Sequence, residues 1–174
     1  MIASRFSPIE ITAAGIKARD RDTAQTVLLV DVKNLDARLI GIFSPSLVTI
    51  FAIVDHAGRS LAAVEFVHAR SLKQVFQGEP CHPKRAAEII SELADGVAEL
   101  HSRGLVHGNI TESSVLLTAK GKARLSLTSA IGGDDAVDID ALRTLLNMIG
   151  GKPGDDVRNA QSAAVLAAAL RTTS

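Results

Sequence analysis

Short apolar runs broken by turn residues fill the first half of the chain, the pattern of a meandering antiparallel sheet. "TVLLVDV" at 26–32, "LVTIFAIV" at 47–54 and "SLAAVEFV" at 60–67 are rich in Val, Ile, Leu and Phe, and each predicts a strand. Between the last two, "DHAGR" at 55–59 reads as a hairpin turn in which Gly58 supplies the backbone freedom. From Pro83 the period changes. Ala86, Ile89, Ile90, Leu93, Val97 and Leu100 recur at helical spacing and share one face of a long helix, which Pro83 opens and Gly104 stops. Ala94, Gly96 and Ala98 keep that helix thin, so it is expected at the centre of the packing. "SVLLT" at 114–118 and "ARLSL" at 123–127 predict two more strands joined by the turn "AKGK". The Gly/Asp-rich link "IGGDDAV" at 131–137 leads into a helix over 138–151, for which Asp138 is the expected cap. A last, alanine-rich helix is expected at about 156–170.

Composition narrows the function classes. With 47% hydrophobic and 22% charged residues in 174, the chain is globular and long enough for a self-sufficient core. Nineteen basic and nineteen acidic side chains cancel, and the 3% of aromatics include no Trp or Tyr. That leaves neither the basic excess nor the stacking platforms of a nucleic-acid binder. The single Cys81 rules out an internal disulfide and reads as a spectator thiol in an intracellular protein. The five histidines, at 56, 68, 82, 101 and 107, show no zinc-like i,i+4 pairing. The apolar run at 47–54 is far short of the roughly 18 residues that span a bilayer, and the N-terminus lacks the apolar stretch of a secretory signal. Asp134, Asp135, Asp138 and Asp140 form an acidic cluster that reads as a solvated loop and helix cap.

Four segments, in order, carry a resemblance. "KARDRDTAQTVLL" (17–29) resembles the second and third strands of a protein-kinase N-lobe. "SPSLVTIFAIVDHAGRSLAAVEFVHARSLKQVF" (44–76) resembles the next two strands, the hinge and a short helix. "AAEIISELADGVAELHSRGLVHGNI" (86–110) resembles the long C-lobe helix and catalytic loop, and "VDIDALRTLLNMIGGKP" (137–153) the central C-lobe helix. The chain is thus similar to the bacterial Ser/Thr kinase family. The resemblance implies an α+β, two-lobed fold with a small antiparallel N-lobe sheet and a truncated helical C-lobe. One domain over 1–174 is expected, with the N-lobe at about 1–66, the hinge at about 65–70 and the C-lobe at about 71–174.

The family's chemistry rests on a few polar residues: a lysine on phosphates, carboxylates and an asparagine on magnesium, and an aspartate orienting the acceptor hydroxyl. Carried over by the resemblance, the lysine falls on Val30, and Lys33 nearby points to the other face of its strand. Only Gly15 remains of the glycine-rich loop, and it reads as a turn. The helix that bears the lysine's glutamate partner is cut to about a turn within "VKNLDARLIGIF" (32–43), its key position falling near Leu35, beside Asp36. His-Arg-Asp becomes His107, Gly108, Asn109, and asparagine is no base at neutral pH. The lysine two residues on becomes Thr111, and the metal-binding asparagine becomes Ser114. Asp-Phe-Gly falls on Leu127, Thr128 and Ser129, and leucine cannot ligate a hard cation. With only "AIGGDDAV" (130–137) before the next helix, the activation segment is missing.

The resemblance therefore implies a pseudokinase without phosphotransferase activity, metal or cofactor, acting as a protein-interaction or regulatory module in the cytoplasm. His107 is expected buried, and Asp138 is expected to hold the backbone of the catalytic-type loop. The partner would be a protein or other domains of a parent chain, with self-association through 32–43 a candidate, and with no nucleic acid or membrane insertion. Ile40, Ile42 and Phe43 in that segment read equally as core. An alternative is a nucleotide sensor that holds ATP without metal through the hinge Glu65, Phe66 and Val67. An unrelated small α/β enzyme would need a polar constellation that the sequence does not offer elsewhere.

Overall fold

The computed structural model describes residues 4–172. Five antiparallel strands, β1 (Phe6–Thr12), β2 (Gly15–Asp20), β3 (Thr26–Val32), β4 (Ile50–His56) and β5 (Arg59–Glu65), form a sheet of order β1-β2-β3-β5-β4. A second sheet joins β6 (Ala69–Ser71), β7 (Val115–Thr118) and β8 (Ala123–Leu125). Around it lie α1 (Leu72–Phe76), α2 (Pro83–Ser102), α3 (Asp135–Met148), α4 (Asp155–Asn159) and α5 (Ala163–Thr172). The architecture is α+β, a small antiparallel sheet followed by a mainly helical half.

The central strands are apolar on both sides because each side has its own core. Phe6, Ala18, Val27, Leu29, Leu61 and Ala63 pack on one face of the large sheet. On the other, Val32, Ala62 and Val64 join the main core around α2. The β4–β5 hairpin is tighter than its sequence predicts: His56 pairs with Arg59, and Ala57 and Gly58, both at positive φ, make the whole turn. That left-handed pair matches the twist of the flanking strands. Gly15 starts β2 where it passes the β3 backbone. An added Cβ there would lie 3.2 Å from the Leu29 carbonyl carbon and closer still to its oxygen.

Helix α2 starts at Pro83, with the His82 ring accepting from the Lys84 amide at 3.3 Å, and its predicted apolar face is buried. A side chain at Gly96 would crowd Ser46 and Leu47, so the bare backbone lets that loop cross the helix directly.

Three expectations need correction. Asp134, not Asp138, caps α3, its carboxylate accepting from the Ala136 amide at 2.9 Å. Asp138 sits a turn inside the helix with no exposure, held by the tertiary contacts described below. The expected single last helix is two, α4 and α5. At the break, Arg143 of α3 donates to the carbonyls of Val157 and Ala160, and the Ser162 hydroxyl accepts from the Val165 amide. In the 32–43 segment the helix is cut to one 3₁₀ turn, Ala37–Leu39, as expected, but the core reading of its apolar residues fails at one of them. There Leu39 and Ile42 are core and Ile40 is half-buried, whereas Phe43 is 73% exposed.

Candidate functional site

Between the large sheet and the β6-β7-β8 sheet lies a cleft of about 880 Å³. Leu28 and Val30 line it from β3, Leu116 from β7, and Glu65, Phe66 and Val67 from the connection between the two halves. Its opposite end is lined by Thr12, Ala14, Ser113, Ser126 and Thr128. The side chains along that end are hydroxyls and aliphatics.

The loop beside it is built around His107. This ring is fully buried; its Nε2 lies 2.8 Å from the Ser126 carbonyl, and its Nδ1 accepts from the Asn109 amide at 3.2 Å. The two partners fix the tautomer, with Nε2–H donating and Nδ1 bare. Burial pushes the His107 pKa below the usual imidazole range, against the opposing pull of the Ser126 carbonyl and the Asp138 charge. Asp138, also fully buried, reaches this loop from α3. Its Oδ2 accepts from the His107 amide at 2.9 Å and its Oδ1 from the Gly108 amide at 2.7 Å. His101 of α2 closes the set, its Nε2 3.0 Å from Asp138 Oδ2.

Gly108 has φ +73°, and an added Cβ would fall on the Gly132 carbonyl, 2.8 Å from its carbon. The amides of Ile131 and Gly132 both donate to the His107 carbonyl, at 2.8 and 3.3 Å. The short link between β8 and α3 is therefore seated on the loop itself, and the residue after His107 has no room for a side chain.

The other predicted site positions are dispersed. Val30 faces the cleft, whereas Lys33, past the end of β3, is exposed and outside the lining. Leu35 is packed on the core, and Asp36 turns to Arg38 at 2.7 Å. Asn109 donates through Nδ2 to the Ser129 carbonyl at 3.1 Å. The Ser114 hydroxyl folds back onto the amide and carbonyl of Thr111, 2.9 Å from each. Leu127 is 1% exposed and part of the main core, while its neighbours Ser126 and Thr128 face the cleft with their hydroxyls 3.1 Å apart. Magnesium demands several oxygen ligands, usually with carboxylates among them, and these positions do not fit a magnesium–nucleotide. Among the described residues no group of three His, Cys, Asp or Glu side chains converges as metal ligands would, and no helix is long and apolar enough to cross a membrane.

At the hinge, the Glu65 carboxylate takes both terminal nitrogens of Arg124, at 2.7 and 2.8 Å, and the Thr49 amide at 3.3 Å. Burial alone would raise the Glu65 pKa, but those donors outweigh it and hold the carboxyl below its usual range. Phe66 has the Lys17 ammonium over its ring, 4.6 Å from the centroid, and meets the His68 ring edge-on at 4.8 Å. Neither the Glu65–Arg124 pair nor the Lys17–Phe66 contact is foreseen from sequence. The one usable signal is the alternation of β2, which gives Lys17 the same face as Leu28, its partner in register.

Comparison with known proteins agrees with this layout. A family model described as protein tyrosine and serine/threonine kinase matches residues 16–131. The serine/threonine-protein kinase pkn2 of Myxococcus xanthus is 26% identical over 107 residues, 61% of this chain and 13% of that protein. The serine/threonine-protein kinase PrkC of Bacillus subtilis (strain 168) is 24% identical over 119 residues, 62% of this chain and 18% of that protein. The probable serine/threonine-protein kinase PknB of Lactococcus lactis subsp. lactis (strain IL1403) is 28% identical over 83 residues, 47% and 13% of the two chains. The alignments thus span less than a fifth of the length of these curated relatives. Because the matched region runs from β2 through the His107 loop to the shortened link before α3, the chain belongs to the protein tyrosine and serine/threonine kinase family.

Proposed function

We propose that this is a pseudokinase domain, catalytically inactive, serving as a protein-interaction or regulatory module, with residues 1–174 forming one two-lobed unit in the cytoplasm. The observation that carries the reading is the end of the cleft away from the hinge. There Val30, Ser126 and Thr128 are lining residues, and Leu127 is turned into the core. Phosphoryl transfer is almost entirely positioning and charge neutralisation, so a site without lysine, base or carboxylates at these positions has lost the groups that lower its barrier. The link seated on Gly108 supports the same reading, because it occupies the flank of the loop where an activation segment would begin. Function then resides in contacts with a protein partner or with other domains of a parent chain.

The test is phosphotransfer from labelled ATP, with magnesium and with manganese, to the domain itself and to a generic basic protein. No transfer above buffer is expected. Metal-dependent transfer that Val30→Glu or Asn109→Ala abolishes would overturn the proposal. The cleft, still open beside Glu65, Phe66 and Val67, supports a second reading as a metal-independent nucleotide sensor. Calorimetric titration with ATP, with and without magnesium, separates the two: saturable binding unaffected by the metal favours the sensor.

A further inference from the structure

The walls of the cleft are largely aliphatic, formed by Leu28, Val30, Val48, Val64, Val67 and Leu116. The charged residues of its lining are Glu65, Arg70 and Arg85, from β5, β6 and α2. Glu65 is already bound by Arg124, and Arg85 by Glu88 and the Gly121 carbonyl. Arg70, like His68, is exposed to solvent. Strand β3 and the stretch just after β8, where the family's phosphate-binding lysine and metal ligand would stand, supply only Leu28, Val30, Ser126 and Thr128 to the lining. No charge is among them.

The second of these segments offers a hydrogen bond instead. The Ser126 and Thr128 hydroxyls, on half-buried residues, lie 3.1 Å apart, and neither has another partner among the described residues. Two hydroxyls carry two protons, and the bond between them uses one. The pair therefore keeps one O–H donor and free lone pairs for a ligand. The other hydroxyls of the lining are engaged or solvated. Thr12 is bonded to the Gly15 carbonyl and the Ala14 amide, Thr118 to the Lys122 amide, and Ser113 is exposed. An aliphatic cleft of about 880 Å³ with one neutral hydrogen-bonding pair has the size and composition of a small-molecule site.

We infer that the cleft binds a small uncharged apolar molecule, a chain or ring system bearing one carbonyl or hydroxyl. The apolar body lies between Val30, Val64 and Leu116, and its oxygen meets the Ser126–Thr128 pair. An anionic group placed there would lose its water with no counter-charge from β3 or the stretch after β8, which selects against phosphates and carboxylates alike. This inference rests on the reading of the domain as a non-catalytic module, assigns that module its ligand class, and stands against the nucleotide sensor.

The probe is prodan, an uncharged naphthalene ketone whose fluorescence reports the polarity around it. Saturable binding at one site with blue-shifted emission is expected. Chain-matched competitors read the charge: at about pH 8, decan-1-ol displaces prodan at a concentration about tenfold or more below that of decanoate. ATP, with or without magnesium, does not displace it. Decanoate competing as well as decanol, or displacement by ATP, overturns the inference. The double variant Ser126→Ala, Thr128→Val removes both hydroxyls and weakens prodan binding about two- to tenfold, the worth of one hydrogen bond. Naphthalene, which lacks the oxygen, binds that variant at least as tightly as the parent. Unchanged prodan affinity, or an equal loss for naphthalene, overturns the assigned oxygen site. Val30→Trp and Leu116→Trp, each filling the cleft from one wall, abolish prodan binding; saturable binding kept by folded forms of both places the site elsewhere and overturns the inference. Absence of prodan binding alongside absent phosphotransfer sinks the ligand assignment alone, whereas metal-dependent phosphotransfer sinks the non-catalytic reading beneath it.

Discussion

Replacing Gly108 by alanine puts a methyl group where the Gly132 carbonyl already stands. Two costs follow from the geometry. A φ of +73° disfavours any L side chain by about 1–2 kcal/mol. The Cβ, 2.8 Å from the Gly132 carbonyl carbon and nearer its oxygen, also drives the link away. That motion breaks the two bonds from the Ile131 and Gly132 amides to the His107 carbonyl, about 1 kcal/mol each. The sum is about 3–4 kcal/mol, or roughly 6–15 °C in Tm for a domain of this size. Gly104 and Gly132 supply the control, since both have similar positive φ, +69° and +76°, and neither would meet an atom within 4 Å through an added Cβ. Gly104→Ala and Gly132→Ala should each cost only about 1–2 kcal/mol, the backbone cost alone. Urea unfolding and calorimetry on the three variants measure the difference. If Gly108→Ala is no less stable than Gly132→Ala, the link is not seated on the loop as described.

Other perturbations probe the same framework. Asp138→Ala leaves the buried His107 amide and the half-buried Gly108 amide without an acceptor and is expected to cost about 3–5 kcal/mol; Asp138→Asn, with one acceptor atom left, should cost less, as urea midpoints will show. Leu127→Asp does not recreate a metal site but buries an unpaired carboxylate in the core, so magnesium should fail to rescue a loss of about 3 kcal/mol or more in a thermal scan. Two pH windows are expected. His107 has a lowered pKa in the folded state, so the unfolded chain takes up its proton first and stability falls as pH drops through about 6.5. Asp20, paired with Arg5 at 2.8 Å, is held down to about 2 from 3.8. Its contribution, about 1 kcal/mol after screening at the partly exposed Arg5, is full above about pH 4 and lost as pH falls towards 2. Urea titrations from pH 8 to 2 should show both steps, with Arg5→Met removing only the lower one.

What the sequence reveals and what it hides divide along the range of the interactions. Strand β3 runs over Thr26–Val32 and α2 opens at Pro83, as their patterns predict, because alternation, helical spacing and a proline at the first turn are local properties. The cap of α3 is misassigned for an equally local reason. Asp134 and Asp138 are chemically identical candidates, and only the fold, by bringing His101, His107 and Gly108 to one of them, tells them apart. The break between α4 and α5 is invisible because Arg143, from a different helix, satisfies its carbonyls. The hinge pair Glu65–Arg124, separated by 59 positions, leaves no pattern at all.

The departures from the family's motif are legible one at a time, but their consistency is visible only in three dimensions. Four of the positions that depart from the motif serve the scaffold: Asn109 holds the Ser129 carbonyl, Ser114 staples the turn at Thr111, Leu127 fills the core, and Gly108 makes room for the shortened link. A site decaying by loss alone would leave unsatisfied polar groups or voids at these places. Here the link can sit on the loop only because Gly108 lacks a side chain, and the core closes only because Leu127 lacks a carboxylate. On the proposed non-catalytic reading, restoring one family residue is expected to conflict with its neighbours, since the shortened link, the glycine and the leucine are compatible as a set.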